Sequence, residues 1–188
     1  MQKTTVAVSG DQGSFSEEAG LLYAKQKSFE SVILFATDME GVLLMIDRGE
    51  AELGIFPVVN SRGGLVEGAY EAMGRHLFTL VDTLPLDVHQ CLLALPGVSK
   101  SAITEIVSYT QALTQCERYL ATEFPGVPLK EWQDTAKAAA DLGRGVLPQT
   151  AAVVAPERSA ELYHLSVLEK GIEDQKPNLT TFIIVRKL

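Results

Sequence analysis

TTVAVSGDQGSFSEE, residues 4–18, packs a strand, a glycine-framed turn and a helix start into one short run. Thr5, Val6, Ala7 and Val8 favour extended backbone and are apolar enough for a buried strand. Gly10 and Gly13 let the chain turn where a Cβ would clash. Ser14 followed three residues later by Glu17 matches a capping box, with Ser16 as an alternative N-cap. Such a turn aims unpaired N–H groups and serine hydroxyls beyond the strand end, where an anion is the natural guest. An ordinary capped turn is the competing reading. There is no Gly-Lys-Ser/Thr and no Gly-x-Gly-x-x-Gly, so neither common nucleotide loop is present.

Outward from this run, strand and helix patterns alternate. Residues 30–36 form a second strand, and Asp38 caps a helix to Arg48 with Gly49 as its stop. Residues 53–59 form a third strand, with Pro57 at its end or at an unpaired position. Residues 60–64 are a loop before a helix over 66–75. The run from Leu77 through Leu95, interrupted by Pro85, is expected to be a crossover between lobes. Beyond it come strands at 103–108, 129–133, 150–155, 165–169 and 182–187. Helices are expected at 111–123 and from Asp134 to Leu142, with another starting at Pro156. The pattern implies one α/β chain of two lobes, about 1–80 and 81–177, with the strand 178–188 at their junction and a ligand cleft between.

Composition narrows the partners. An apolar share of 46% supports a substantial core. The net charge of −8 and the lack of a Lys/Arg cluster argue against nucleic acid. Apolar stretches are short and broken by Asp or Glu, so no membrane span is expected. Lys3 is followed by no apolar run of signal-peptide length, which points to a cytoplasmic chain. Cys91 and Cys116 then read as free, buried thiols. His76, His89 and His164 are scattered without ligand spacing, so no metal is expected; His76 and His164 fit favourable helix-end placement.

The remaining polar candidates each have two readings. Asn60 and Ser61 follow a strand end: Asn60 either binds a hydroxyl or keto group or stabilises its own turn. Ser108 and Gln111 flank a strand end, where Ser108 or Thr110 would otherwise cap the next helix. Asp134 reads as an N-cap ahead of Thr135. Two threonines, Thr180 and Thr181, open the last strand. Residues alone therefore support a two-lobed binder or enzyme that works through hydroxyls and amides.

Seven stretches, in order, resemble the catalytic domain of prephenate dehydratase. GDQGSFS resembles its G-P-x-G-[ST]-[FY]-S turn, and GEAELGIFPVVNS its G-x-x-x-x-G-V-V-P-I-E-N-S. VHQCLLALPG is similar to I-H-H-C-L-L-x-x-x-G, SYTQALTQC to S-H-P-Q-A-L-x-Q-C and DTAKAA to S-T-A-x-A-A. AAVVAPERSAELYHLSVLE and NLTTFIIV resemble A-A-I-A-S-x-x-A-A-x-x-Y-G-L-x-V-L and N-x-T-R-F-x-V-I. The resemblance implies a fold like a type II periplasmic binding protein. It also implies conversion of prephenate to phenylpyruvate, water and carbon dioxide without metal or organic cofactor, in phenylalanine biosynthesis. The substrate would be a dianionic small molecule, prephenate or arogenate, and a homodimer is allowed. Carried over by match, Thr180, Asn60 and Thr135 would be catalytic, and Ser14, Ser16, Ser61, Ser108, Gln111 and Phe182 substrate-binding.

Departures from the pattern fall at Val59 for Glu, Gln90 for His, Tyr109 and Thr110 for His-Pro, and Thr181 for Arg. The last removes a cation that a substrate with two carboxylates would want. These changes favour two alternatives: a diverged prephenate decarboxylase, or a non-catalytic binder of a cyclohexadienyl or aromatic acid. No counterpart of the ACT regulatory domain that usually follows lies within the 188 residues, so phenylalanine feedback is not expected.

Overall fold

The structure, a computed structural model, describes residues 3–188. It divides into two units: the chain up to Asp87 together with Leu179–Leu188, and Val88–Asn178. The first contains β1 (Lys3–Ser9), α1 (Phe15–Gln26), β2 (Glu30–Ala36), α2 (Met39–Arg48), β3 (Leu53–Asn60), β4 (Gly64–Leu65), α3 (Glu67–Met73), β5 (Phe78–Asp87) and the terminal β11 (Leu179–Lys187). Its strands run in the order β2-β1-β3-β11-β5, with β4 beside β3. β1 is parallel to β2 and β3, whereas β11 is antiparallel to both β3 and β5.

Local chemistry sets the helix limits. Ser14 caps α1, Asp38 caps α2 through the Gly41 amide at 2.8 Å, and Gly49 ends α2 at φ +72°. Phe56, Ile183 and Val185 pack with Leu43 and Ile46 of α2 and Ala69 and Ala72 of α3. His76 lies beyond α3, and its ring nitrogens meet Glu40 at 2.8 Å and Asp47 at 2.5 Å. Two carboxylates of α2, not a helix dipole, hold it.

Non-local pairing changes three expectations. The run from Leu77 forms two strands rather than a crossover. β5 pairs along its length with β11, and Pro85 is tolerated because β5 lies at the sheet edge. β11 starts at Leu179, three residues early, because residues 179–181 pair with Asp87, Leu86 and Pro85. Pro57 lies inside β3, where the register slips from Thr181↔Val59 to Phe182↔Pro57 and leaves Val58 as the extra residue of a bulge.

The second unit contains β6 (Cys91–Ala94), β7 (Glu105–Ser108), α4 (Thr110–Gln115), α5 (Glu117–Glu123), β8 (Leu129–Glu131), α6 (Thr135–Gly143), β9 (Ala151–Ala155), α7 (Glu157–Tyr163) and β10 (Ser166–Lys170). Its sheet order is β10-β6-β9-β7-β8. Both faces are covered: Leu93, Val107 and Val153 pack with Leu142 on one side, Leu92, Ile106 and Val154 with Leu113 and Leu120 on the other. That explains the unbroken apolar runs CLLA and AAVVA. The single helix expected over 111–123 is two, because the Asp174 carboxylate accepts from the Arg118 and Tyr119 amides at 2.7 and 2.9 Å and starts α5 afresh.

Cys91 and Cys116 are buried free thiols, and burial raises the pKa of each, so neither suits thiolate chemistry. Among the described residues no helix is long and apolar enough to cross a membrane, and no group of three or more His, Cys, Asp or Glu could hold a metal ion.

Candidate functional site

In the first unit, three adjacent strands bring their ends together. β1 and β3 are parallel, so the turn after Ser9 and the turn after Asn60 lie at the same end of the sheet; antiparallel β11 starts there. The carboxyl ends of parallel strands are where open α/β sheets take ligands.

The first turn is built as its residues require. Gly10 and Gly13 adopt φ +90° and +91°, a region costly for any residue with a Cβ. Ser14 Oγ accepts from the Glu17 amide at 3.3 Å, while Glu17 Oε2 accepts from the Gly13 amide at 2.7 Å. The reciprocal box thus closes one residue early, on Gly13. Ser16 is not the cap; it lies inside α1, with its Oγ 3.1 Å from Ser9 Oγ. Ser14 and Ser16 are 7% and 6% exposed, so the groups this turn offers outward are chiefly the Phe15 and Ser16 amides, which a helix start cannot satisfy internally. Sequence reasoning named the serine side chains and expected unpaired N–H groups here without saying which residues carry them. The strand–turn–helix grammar was the signal that pointed to them.

Asn60 carries both roles weighed for it. Its Oδ1 accepts from the Arg62 and Gly63 amides at 2.8 and 2.7 Å, which fixes its own turn. That orients Nδ2 the other way, where it donates to Thr180 Oγ1 at 2.8 Å. Thr180 lies directly opposite Asn60 in the β3–β11 register, and both are buried. Because Thr180 Oγ1 accepts this bond, its own proton remains available to donate; among the described residues it has no acceptor. Ser61 secures the start of the same strand: its amide donates to the Leu179 carbonyl at 2.7 Å and its Oγ accepts from the Leu179 amide at 3.0 Å. Phe182 shares the Thr180 face of β11 but is 1% exposed, a core side chain beneath the strand start.

The second unit sets its candidates at the ends of its own parallel strands β7 and β8. Ser108 is fully buried and donates to the Val154 carbonyl at 2.5 Å. It caps no helix, and neither does Thr110; α4 begins after Tyr109 with no side-chain cap. Gln111, half-buried in the first turn of α4, has no side-chain partner among the described residues. Thr135 is the first residue of α6, behind Asp134, which accepts from the Lys137 amide at 2.7 Å. Gln90 is buried, and its Nε2 donates to Gln115 Oε1, which also accepts from Asn178 Nδ2 at 3.0 Å. No sequence motif revealed that amide network. A surface depression of about 390 Å³ in this unit, lined by Arg118, Tyr119, Glu169 and Asp174 among others, includes none of the nine candidates and is too acidic for a dianion.

The prephenate dehydratase family model matches residues 6–188. The chain belongs to the prephenate dehydratase family. It is 38% identical over 183 residues to arogenate dehydratase 1 of Petunia hybrida and 37% identical to an arogenate dehydratase/prephenate dehydratase of Arabidopsis thaliana, covering 97% of this chain in both cases. It spans only 42% and 43% of those relatives' lengths. Among solved structures, the prephenate dehydratase of Arthrobacter aurescens, in complex with L-Phe, superposes with a TM-score of 0.85 at 24% identity, over 98% of this chain and 60% of that one. A methionine-bound nutrient-binding protein from Burkholderia cenocepacia gives 0.58 at 12% identity, over 97% and 84%. The fold is therefore that of prephenate dehydratases, with the binding-protein likeness expected.

Against the family pattern, the two altered positions of this unit form one pair. Thr181 and Val59 are cross-strand partners. Strand alternation places them on the face opposite Thr180 and Asn60. The two departures, Val59 for Glu and Thr181 for Arg, are thus one uncharged cross-strand pair, and Thr181 does not face the Thr180 hydroxyl.

Proposed function

We propose that this chain dehydrates and decarboxylates prephenate to phenylpyruvate, with Thr180 as the proton donor. One observation carries the reading: the Asn60 amide donates to Thr180 Oγ1 at 2.8 Å, which leaves the Thr180 proton free and stabilises negative charge on its oxygen. As the bond to the ring carboxylate breaks, its electron pair enters the ring and carbon dioxide departs. The ring C–O bond breaks with its pair on oxygen, and Thr180 supplies the proton that makes the leaving group water. Thr180 regains a proton from solvent. Aromatisation drives the step, so positioning and charge stabilisation suffice. The Phe15 and Ser16 amides are assigned to a substrate carboxylate. Ser14, Ser16, Ser61 and Phe182 hold these groups in place; the contributions of Ser108, Gln111 and Thr135 rest on family membership.

The names of the relatives favour arogenate as a second substrate, since its ring undergoes the same elimination and yields phenylalanine. Purified protein is incubated with each compound, and products are identified by mass spectrometry. Phenylpyruvate from prephenate, absent with Thr180→Val, is the expected result. A product that keeps its hydroxyl would indicate decarboxylation alone; ligand-induced thermal stabilisation without product would indicate a binder.

A further inference from the structure

Thr180 is the second residue of β11, and the chain reaches it through residues 171–178, which lie outside helix and strand. Backbone of that kind is ordinarily the part of a fold that opens most easily. A reacting group displaced by about 1 Å can lose about 10²-fold in rate. This approach to Thr180 is fastened at successive points. The Ile172 amide donates to the Gln90 carbonyl at 2.9 Å and the Asp174 amide to the Gln115 carbonyl at 2.8 Å. Between them the buried Glu173 carboxylate accepts from the Gln90 amide at 3.0 Å. Asn178, fully buried, is the last fastening before the strand. Its Nδ2 donates to Gln115 Oε1 at 3.0 Å, and its carbonyl accepts from the Val88 amide at 2.8 Å. Gln90 Nε2 donates to the same Gln115 oxygen at 3.3 Å, so that oxygen is a shared acceptor inside the fold.

Resting on the function proposed above, we propose that Asn178 is a positioning residue for Thr180: its side chain fixes where β11 begins and so where the proton donor stands. Both residues ahead of Thr180 are then held by side chains, Leu179 through Ser61 and Asn178 through its own amide. A short neutral amide suits the task, because it donates inside the fold without burying a charge. The two asparagines divide the work. Asn60 bonds the reacting oxygen itself, and Asn178 sets the strand that carries it.

The test measures kcat and KM, with whichever of prephenate and arogenate the wild type turns over, alongside amide hydrogen exchange at residues 179–181. Asn178→Ala is expected to lower kcat by about 10–10²-fold, with a much smaller change in KM and faster exchange at the strand start. Added to Thr180→Val, it should lower kcat no further, because a residue that acts through Thr180 then has nothing left to place. Asn178→Ser, which keeps a polar group, carries the same comparison if the alanine variant does not fold. A folded variant with wild-type kcat, losses that multiply in the double variant, or unchanged exchange at residues 179–181 overturns the positioning role and leaves the reaction standing. Wild-type protein that forms no product from either compound overturns the reaction, and the positioning role with it.

Discussion

Thr180 and Ser108 are both buried hydroxyls at strand ends, yet their protons are used in opposite ways. Thr180 accepts from Asn60 at 2.8 Å, and its proton is unspent. Ser108 donates to the Val154 carbonyl at 2.5 Å, and its proton is committed to the sheet. Both stand in stretches that resemble family motifs. Motif membership therefore does not separate the hydroxyl proposed to react from one that holds a strand; the direction of one hydrogen bond is what differs between them.

The contrast can be broken by experiment. Removing the Thr180 proton with Thr180→Val should lower kcat by about 10²–10⁴-fold, the scale of a general acid, while Thr180→Ser keeps much of the rate. Asn60→Asp reverses the bond, because a carboxylate accepts from Thr180 instead of donating to it. A kcat loss of about 10²-fold is expected, and a rate near wild type would refute the orienting role. Ser108→Ala should act on stability, leaving the buried Val154 carbonyl unsatisfied at about 1–3 kcal/mol in denaturant unfolding.

Neither hydroxyl is bonded to a titrating side chain, so the pH response of the first unit is expected at His76. Its hydrogen bond to Glu40, then that to Asp47, raises its pKa. The stabilisation is fully present below the unfolded value of about 6.5 and is lost as pH rises through the raised folded value. Melting temperature should fall across that window in wild type and stay flatter in His76→Gln. The smallest effect is assigned to Thr181→Arg: on the face away from Thr180, it should not tighten prephenate binding.

What could be read from the chain follows from the range of the interactions. Ser14 with Glu17, Asp38 with Gly41 and Asp134 with Lys137 are contacts three residues long, and the sequence displays them. The break at Cys116 depends on Asp174, the early start of β11 on β5, and the Asn60–Thr180 bond on residues 120 apart. No local pattern encodes those. The family resemblance named Asn60 and Thr180 together but not which one donates, and it cast Thr181 as a lost substrate contact until the register set it opposite Val59.

The placement of β11 between β3 and β5 also has a consequence for synthesis. Residues 88–178 are continuous, so every strand of the second unit has been made before Leu179 emerges. The first unit began earlier but waits: until the last strand arrives, β3 and β5 lack the neighbour that separates them. At a translation rate of about 5–20 residues per second, that gap lasts several seconds. During this interval two apolar strand edges are open to wrong partners, a window in which a holding chaperone would matter most. The residue proposed to do the chemistry comes on the strand that closes it.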